Sequence, residues 1–206
     1  MNEVLITGAT GLLGRHAAAA LEGRGFRVHG LARKGAEHAV DLFDSDAVRA
    51  CLEAVRPSHL LHLAWITAPG RYWNAPENLE WQSASLDLVR AFHAAGGRRA
   101  VIAGSCAEYD WETLPDAPID EGFPCRPASL YGAAKNALRI AVAALVVWLH
   151  VSGAIVGYAR YRHLPPPGWL DAASPIVFAA TGLTAGGLMA LLLLGWVRPA
   201  CRGLVR

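Results

Sequence analysis

Along the first 139 positions, apolar residues recur in short runs of two alternating kinds. Glu3 to Thr7 is a β-rich apolar run ending at a glycine, and Leu12 to Leu21 carries the alanines and leucines that suit a helix. Phe26 to Leu31 reads as a second strand, Val40 with Leu42 as a short third, and Ala47 to Val55 as a helix ending before Pro57. His59 to Trp65 follows as a buried strand, Glu77 to Ala95 as a helix closed by Gly96 and Gly97, and Ala100 to Gly104 as another strand. Strands alternating with helices predict an α/β fold with a doubly wound parallel sheet. Asp110 to Ala128 holds four prolines without periodicity, which predicts a surface loop over the strand ends, and a helix starts near Ser129.

The pattern changes after Arg139. No charged residue occurs from Ile140 to Tyr158, nor from Pro175 to Val197. A nucleotide-binding domain is therefore expected over 1–139 and an apolar helical C-terminal appendage over 140–206. Both stretches approach the roughly 20 apolar residues needed to cross a bilayer, so one or two transmembrane helices are candidates. The second is apolar on all sides, whereas His150, Ser152 and Gly153 interrupt the first. A hairpin would return Arg198, Arg202 and Arg206 to the cytoplasmic side, although Arg160 and Arg162 then sit in its far loop. Ser152 to Val156 can instead be laid on a sixth strand, extending the domain to 168.

Composition narrows the function. A chain of 206 residues buries one core, and a mean hydropathy of +0.27 comes from the C-terminal end. With a net charge of +2 and no run of five like charges, nucleic acid is not an implied partner. Cysteines at 51, 106, 125 and 201 form no CxxC pair and no metal-ligand spacing, so no metal site is expected and the thiols read as reduced and cytosolic. The start MNEVLITG carries an acid where a leader would be basic, which argues for a cytoplasmic location. The alternative is membrane anchoring with the nucleotide-binding domain on the cytoplasmic side.

Thr7 to Gly14 joins the first strand to the first helix. There Gly8 permits a tight turn, Gly11 a close approach of backbone to a pyrophosphate, and Gly14 close helix packing. The helix N-terminus around Leu12 and Leu13 offers N–H groups and a positive dipole to an anion. After the second strand stands Arg33 rather than the acid that would hold the ribose hydroxyls of NAD, so NADP(H) is favoured over NAD. A solvated surface charge is the other reading of Arg33. Asp41 and Leu42 can hold an adenine, or Asp41 can simply close a turn.

Tyr131 and Lys135 lie four apart at a helix start and share one face, where the cation lowers the phenol from its usual value of about 10. Ser105 ends the fifth strand, at the sheet edge where ligands collect. Its segment, Ser105 to Trp111, resembles the one carrying the catalytic Ser/Thr of the NAD-dependent epimerase/dehydratases, extended short-chain dehydrogenase/reductases with a Rossmann-like domain. Pro127 to Lys135 resembles their tyrosine/lysine segment, His62-Leu63-Ala64 their fourth-strand motif lining the nicotinamide side, and Asn78-Leu79 their asparagine-bearing helix.

The resemblance implies hydride transfer between nicotinamide and the sugar of a nucleotide sugar, with Tyr131 as acid/base. Lys135 would bind the nicotinamide ribose and Ser105 hold the reacting oxygen, while Leu63 and Ala64 line the cofactor. Epimerisation, dehydration and reduction all remain open, and dimerisation through the Tyr131 helix is common in that family. Cys106 and Glu108 are near enough to act as further acid/base groups, though packing or loop hydrogen bonding also accounts for them. The opposing reading is a catalytically incomplete, membrane-tethered protein that binds a dinucleotide and lacks a sugar site.

Overall fold

The computed structural model describes residues 2–120 and 122–161, with side chains as far as Leu149. Five parallel strands stand in the order β3-β2-β1-β4-β5. They are β1 Glu3–Thr7, β2 Arg27–Ala32, β3 His38–Ala39, β4 His59–His62 and β5 Arg99–Ile102. The helices are α1 Leu12–Glu22, α2 Ser45–Val55, α3 Glu77–Ala94 and α4 Leu130–Tyr161, and short 3-10 turns occupy Cys106–Glu108 and Trp111–Thr113. This is a Rossmann-like sheet, with strand order reversing on either side of β1.

β1 is an unbroken apolar run because both its faces are covered: Leu5 and Ile6 are fully buried between β2 and β4. Leu31, Leu52, Leu60, Leu88, Phe92 and Leu138 complete the core from the neighbouring strands and from α2, α3 and α4. Each such side chain contributes about 1.5–3 kcal/mol. β5 is different, with Arg99, Ala100 and Val101 exposed, and it is the last strand of the sheet among the described residues.

Several element boundaries move for identifiable reasons. β3 lies at His38–Ala39 rather than at Val40 and Leu42, because Asp41 Oδ1 accepts the Phe43 N–H at 3.1 Å and turns the chain there. α2 starts at Ser45, two N–H groups being capped by the Asp44 carboxylate. β4 stops at His62: the Leu63 N–H is shared between the Thr7 carbonyl at 3.3 Å and Thr7 Oγ1 at 3.2 Å, and the Ala64 N–H goes to Oγ1 at 3.3 Å.

The largest departure is at the C-terminal side. Residues 152–156, which can be laid on a sixth strand, are helical and continue α4. The chain divides into a unit Met1–Ala141 and a unit Val142–Arg206. By length and composition Leu130–Leu149 could cross a membrane; Ala134, Lys135 and Leu138 in its first half are buried in the first unit, whereas Ile140, Val146 and Trp148 are exposed. The second candidate span, 175–197, lies outside the described residues. Cys51, Cys106 and Cys125 are free thiols, and burial, reinforced by the Glu37 charge, raises that of Cys51.

Candidate active site

The carboxyl ends of β1, β2 and β4 open on a crevice of about 870 Å³. Gly8, Gly11, Leu12, Leu13, Gly14, Arg33, Leu42, Leu63 and Ala64 all line it, as do Lys34, Trp65 and Trp81. Among the described residues no carboxylate lines it. Asp41 is not a lining residue, and one of its oxygens is spent on the Phe43 turn.

Two glycines are required by close approach. Gly8 has φ +70, and a Cβ there would stand 3.0 Å from the Ala64 nitrogen at the end of β4. At Gly14 a Cβ would lie 2.3 Å from the Gly8 carbonyl oxygen, so α1 rests directly on the loop. Gly11 caps α1 without a side-chain partner, which leaves the first-turn N–H groups available to an anion. A dinucleotide fits this cradle: phosphate at the helix start, two cations at Arg33 and Lys34, and apolar walls from Leu31, Leu42 and Leu63.

Beneath the crevice a chain of hydrogen bonds fixes the β4 end. Thr7 Oγ1 accepts the Leu63 and Ala64 N–H groups and so donates to His62 Nδ1, at 2.6 Å. His62 Nε2–H then donates to Ser85 Oγ at 2.8 Å, and that hydroxyl donates to the Trp81 carbonyl at 2.6 Å. Only a neutral ring satisfies this sequence. Burial, with the Lys135 charge adding to it, pushes His62 down to about 3. His62 therefore does not line the crevice; it positions Leu63 and Ala64, which do.

Tyr131 and Lys135 both reach Trp65, past the end of β4, and Lys135 also reaches Ala103, past the end of β5 and close in the chain to Ser105. Lys135 Nζ donates to the Ala103 carbonyl at 2.9 Å and lies 3.9 Å from the centre of the Trp65 ring. Burial lowers its pKa to about 8, the Glu108 carboxylate opposing the fall. Tyr131 stands edge-on to Trp65 and Tyr72, with ring centres 6.4 and 5.0 Å away. Ser105 Oγ accepts the Ala107 N–H at 3.2 Å, which leaves its proton free to donate to a ligand oxygen. Gly132 packs against the Ala107 backbone, with 2.1 Å between a would-be Cβ and that carbonyl oxygen, so the Tyr131 helix and the Ser105 turn are held edge to edge.

Glu108 is not an open acid/base group. Its Oε1 accepts the Ser105 N–H at 2.7 Å, closing a capping box, and its Oε2 lies 3.5 Å from Arg139 Nε. Cys106 is exposed. None of the trio lines the glycine-loop crevice; Trp65 does, and it touches both Tyr131 and Lys135. From the sequence Trp65 reads merely as a strand end, and its bridging place is missed. Asn78 fixes it: fully buried, it accepts the Trp65 Nε1–H at 2.8 Å and donates to the Tyr72 and Ala75 carbonyls. A tryptophan at the carboxyl end of a buried strand, facing a crevice, was the available signal.

Residues 4–149 match the NAD dependent epimerase/dehydratase family. The chain belongs to that family. The dTDP-6-deoxy-L-talose 4-dehydrogenase (NAD(+)) of Aggregatibacter actinomycetemcomitans is 29% identical over 149 residues, covering 68% of this chain and 53% of that protein. Two solved structures share the fold. One is a short-chain dehydrogenase/reductase superfamily protein of Agrobacterium tumefaciens with bound NAD, 30% identical, covering 69% of this chain and 44% of its own, with a TM-score of 0.58. The other is the UDP-glucose 4-epimerase of Thermus thermophilus in complex with NAD, 26% identical, with coverages of 73% and 52% and a TM-score of 0.57. The chain spans about half the length of the curated relatives it matches.

Proposed function

We propose that this protein performs oxidoreductase-type chemistry on a nucleotide sugar with a nicotinamide dinucleotide held in the glycine-loop crevice. The observation that carries the reading is that Tyr131 and Lys135 both meet Trp65, which lines that crevice, while Lys135 bonds the carbonyl of Ala103, close in the chain to Ser105. When bound, the nicotinamide supplies or accepts the hydride. The Tyr131 phenol gives or takes the proton at the sugar oxygen, and the free Ser105 O–H orients that oxygen. In this reading Lys135, which bonds the Ala103 carbonyl, holds the ribose. Epimerase, dehydratase and reductase outcomes share these steps.

Among the described residues Arg33 and Lys34 face the crevice and no carboxylate does, which supports NADP(H) ahead of NAD. The relatives named above are described with NAD. Titrating the full chain with both dinucleotides tests this directly: the reading expects NADP(H) to bind more tightly by about tenfold, the worth of one added phosphate pairing. Equal or inverted affinities overturn it.

Catalysis is tested by mixing the full chain with NAD(H) or NADP(H) and a panel of nucleotide sugars, following nicotinamide absorbance and product configuration. Turnover with any member of the panel supports the enzyme. Dinucleotide binding without turnover favours the second reading, a tethered binding protein. That reading draws on the exclusion of the trio from the crevice lining.

A further inference from the structure

At the edge of the sheet opposite β5, three side chains with metal-ligating atoms converge. His29 Nδ1 lies 3.2 Å from Glu37 Oε1, His38 Nε2 lies 3.6 Å from the same oxygen, and the two ring nitrogens are 3.5 Å apart. The other nitrogen of His29, Nε2, faces Glu3 Oε2 at 3.0 Å. His29 is buried on β2, His38 is half-buried on β3, and Glu37 stands in the loop between them with its carboxylate reached by solvent.

We propose that His29, Glu37 and His38 form a binding site for a zinc-like divalent cation, with Glu3 orienting His29 from behind. The first argument is hydrogen-bond accounting. A neutral imidazole has one N–H, yet His29 has a carboxylate at each nitrogen. With Nε2–H given to Glu3, the Nδ1 lone pair faces the Glu37 oxygen, and either a second proton on His29 or a bound cation must stand between them. A proton can join only two of the three atoms, whereas His38 Nε2 points to the same place.

The second argument is size. Ligand bonds of about 2.0–2.1 Å in a tetrahedron set the donor atoms about 3.3–3.4 Å apart. The three separations here bracket that length, at 3.2, 3.5 and 3.6 Å. An octahedral magnesium ion with bonds of the same length would want about 2.9 Å, closer than any of them. Two imidazoles and one carboxylate are also the donor set of a zinc-type ion rather than of a hard oxygen-seeking one. The Glu3–His29 contact is the outer carboxylate that such histidines require. Solvent reaches the Glu37 carboxylate, so a water can complete the four ligands.

The site ties β2 to β3 across the loop that carries Arg33 and Lys34. Its test is independent of the proposed activity, since it needs neither dinucleotide nor sugar. Metal-free, tag-free full chain is titrated with Co²⁺, read by visible absorption, and then with Zn²⁺ in competition. One Co²⁺ per chain with the intense bands of a tetrahedral site, displaced by Zn²⁺, is the expected result. His38→Ala and Glu37→Gln, both at solvent-reached side chains, should each weaken binding at least about tenfold, and Glu3→Gln by about tenfold. Unchanged circular dichroism of the variants shows that the loss is local. No saturable binding at micromolar metal, an octahedral spectrum, or equal affinity in His38→Ala and Glu37→Gln to that of the parent chain overturns the proposal.

Discussion

The carboxyl edge of the sheet has two ends built from different materials. At the β1 end, the part of the crevice offered to a phosphate is backbone: a glycine turn, free N–H groups of α1, and carbonyls brought so close that no Cβ fits at Gly14. At the β4 and β5 end, beside the crevice, the contacts are made by side chains, with Asn78 on Trp65, Trp65 on Lys135 and Tyr131, and Glu108 on the Ser105 N–H. A backbone surface tolerates change in what surrounds it but not an added methyl. A side-chain surface can be emptied one group at a time, each loss leaving the fold and removing one chemical role.

That contrast breaks first at Tyr131. Tyr131→Phe deletes only the phenol hydroxyl, so steady-state turnover should fall by about 10²–10⁴-fold. Dinucleotide affinity, measured by fluorescence quenching, should hardly move; a parallel loss of binding would erase the distinction between the ends.

The next effect is acidic. His62 is held near 3 when folded, against 6.5 when free, so the unfolded chain binds the extra proton between those values. Stability is therefore complete above about pH 6.5 and declines as pH falls toward 3, by roughly 1.4 kcal/mol for each pH unit well inside that window. Urea unfolding at about pH 7 and about pH 4.5, one value above the window and one within it, measures the decline. His62→Gln should flatten the difference attributable to this ring.

Gly14→Ala attacks the backbone end. With only main-chain atoms within 2.7 Å of the new carbon, the loop must shift, costing about 1–3 kcal/mol in thermal unfolding. Dinucleotide binding should weaken steeply, and an unaltered affinity would mean that the loop geometry is not what holds the phosphates. The smallest effect belongs to Trp65→Phe, which keeps a ring but drops the bond to Asn78. About 1–2 kcal/mol of stability should go, the cost of a buried acceptor left without its donor. KM should rise more than kcat falls if Trp65 only positions the neighbouring groups.

Much of this was legible beforehand. Strand and helix alternation located β1, β2, β4, β5 and the helices between them because apolar runs and glycine or proline stops agree there, and Gly8, Gly11 and Gly14 announced the loop by their spacing directly after a strand. What stayed hidden depended on partners distant in sequence. Nothing in the residues around Val40 said that Asp41 would turn the chain and shift β3 back to His38–Ala39. The apolar stretch after Arg139 has no period that separates a continued helix from a sixth strand, and α4 simply runs on. The histidine and carboxylate cluster was invisible for the same reason: Glu3, His29 and His38 meet only after three strands align.

The hydrogen bonds running from Leu63 and Ala64 through Thr7, His62 and Ser85 to Trp81 all point one way. Such a queue has a direction, and no member can reverse without its neighbours doing so. Thr7 and Ser85 sit far apart in the chain and are joined through the ring between them, so the loss of one hydroxyl is felt at the other. A double-mutant cycle across them should be strongly non-additive, and a descendant that abandons one hydroxyl has little reason to keep the other.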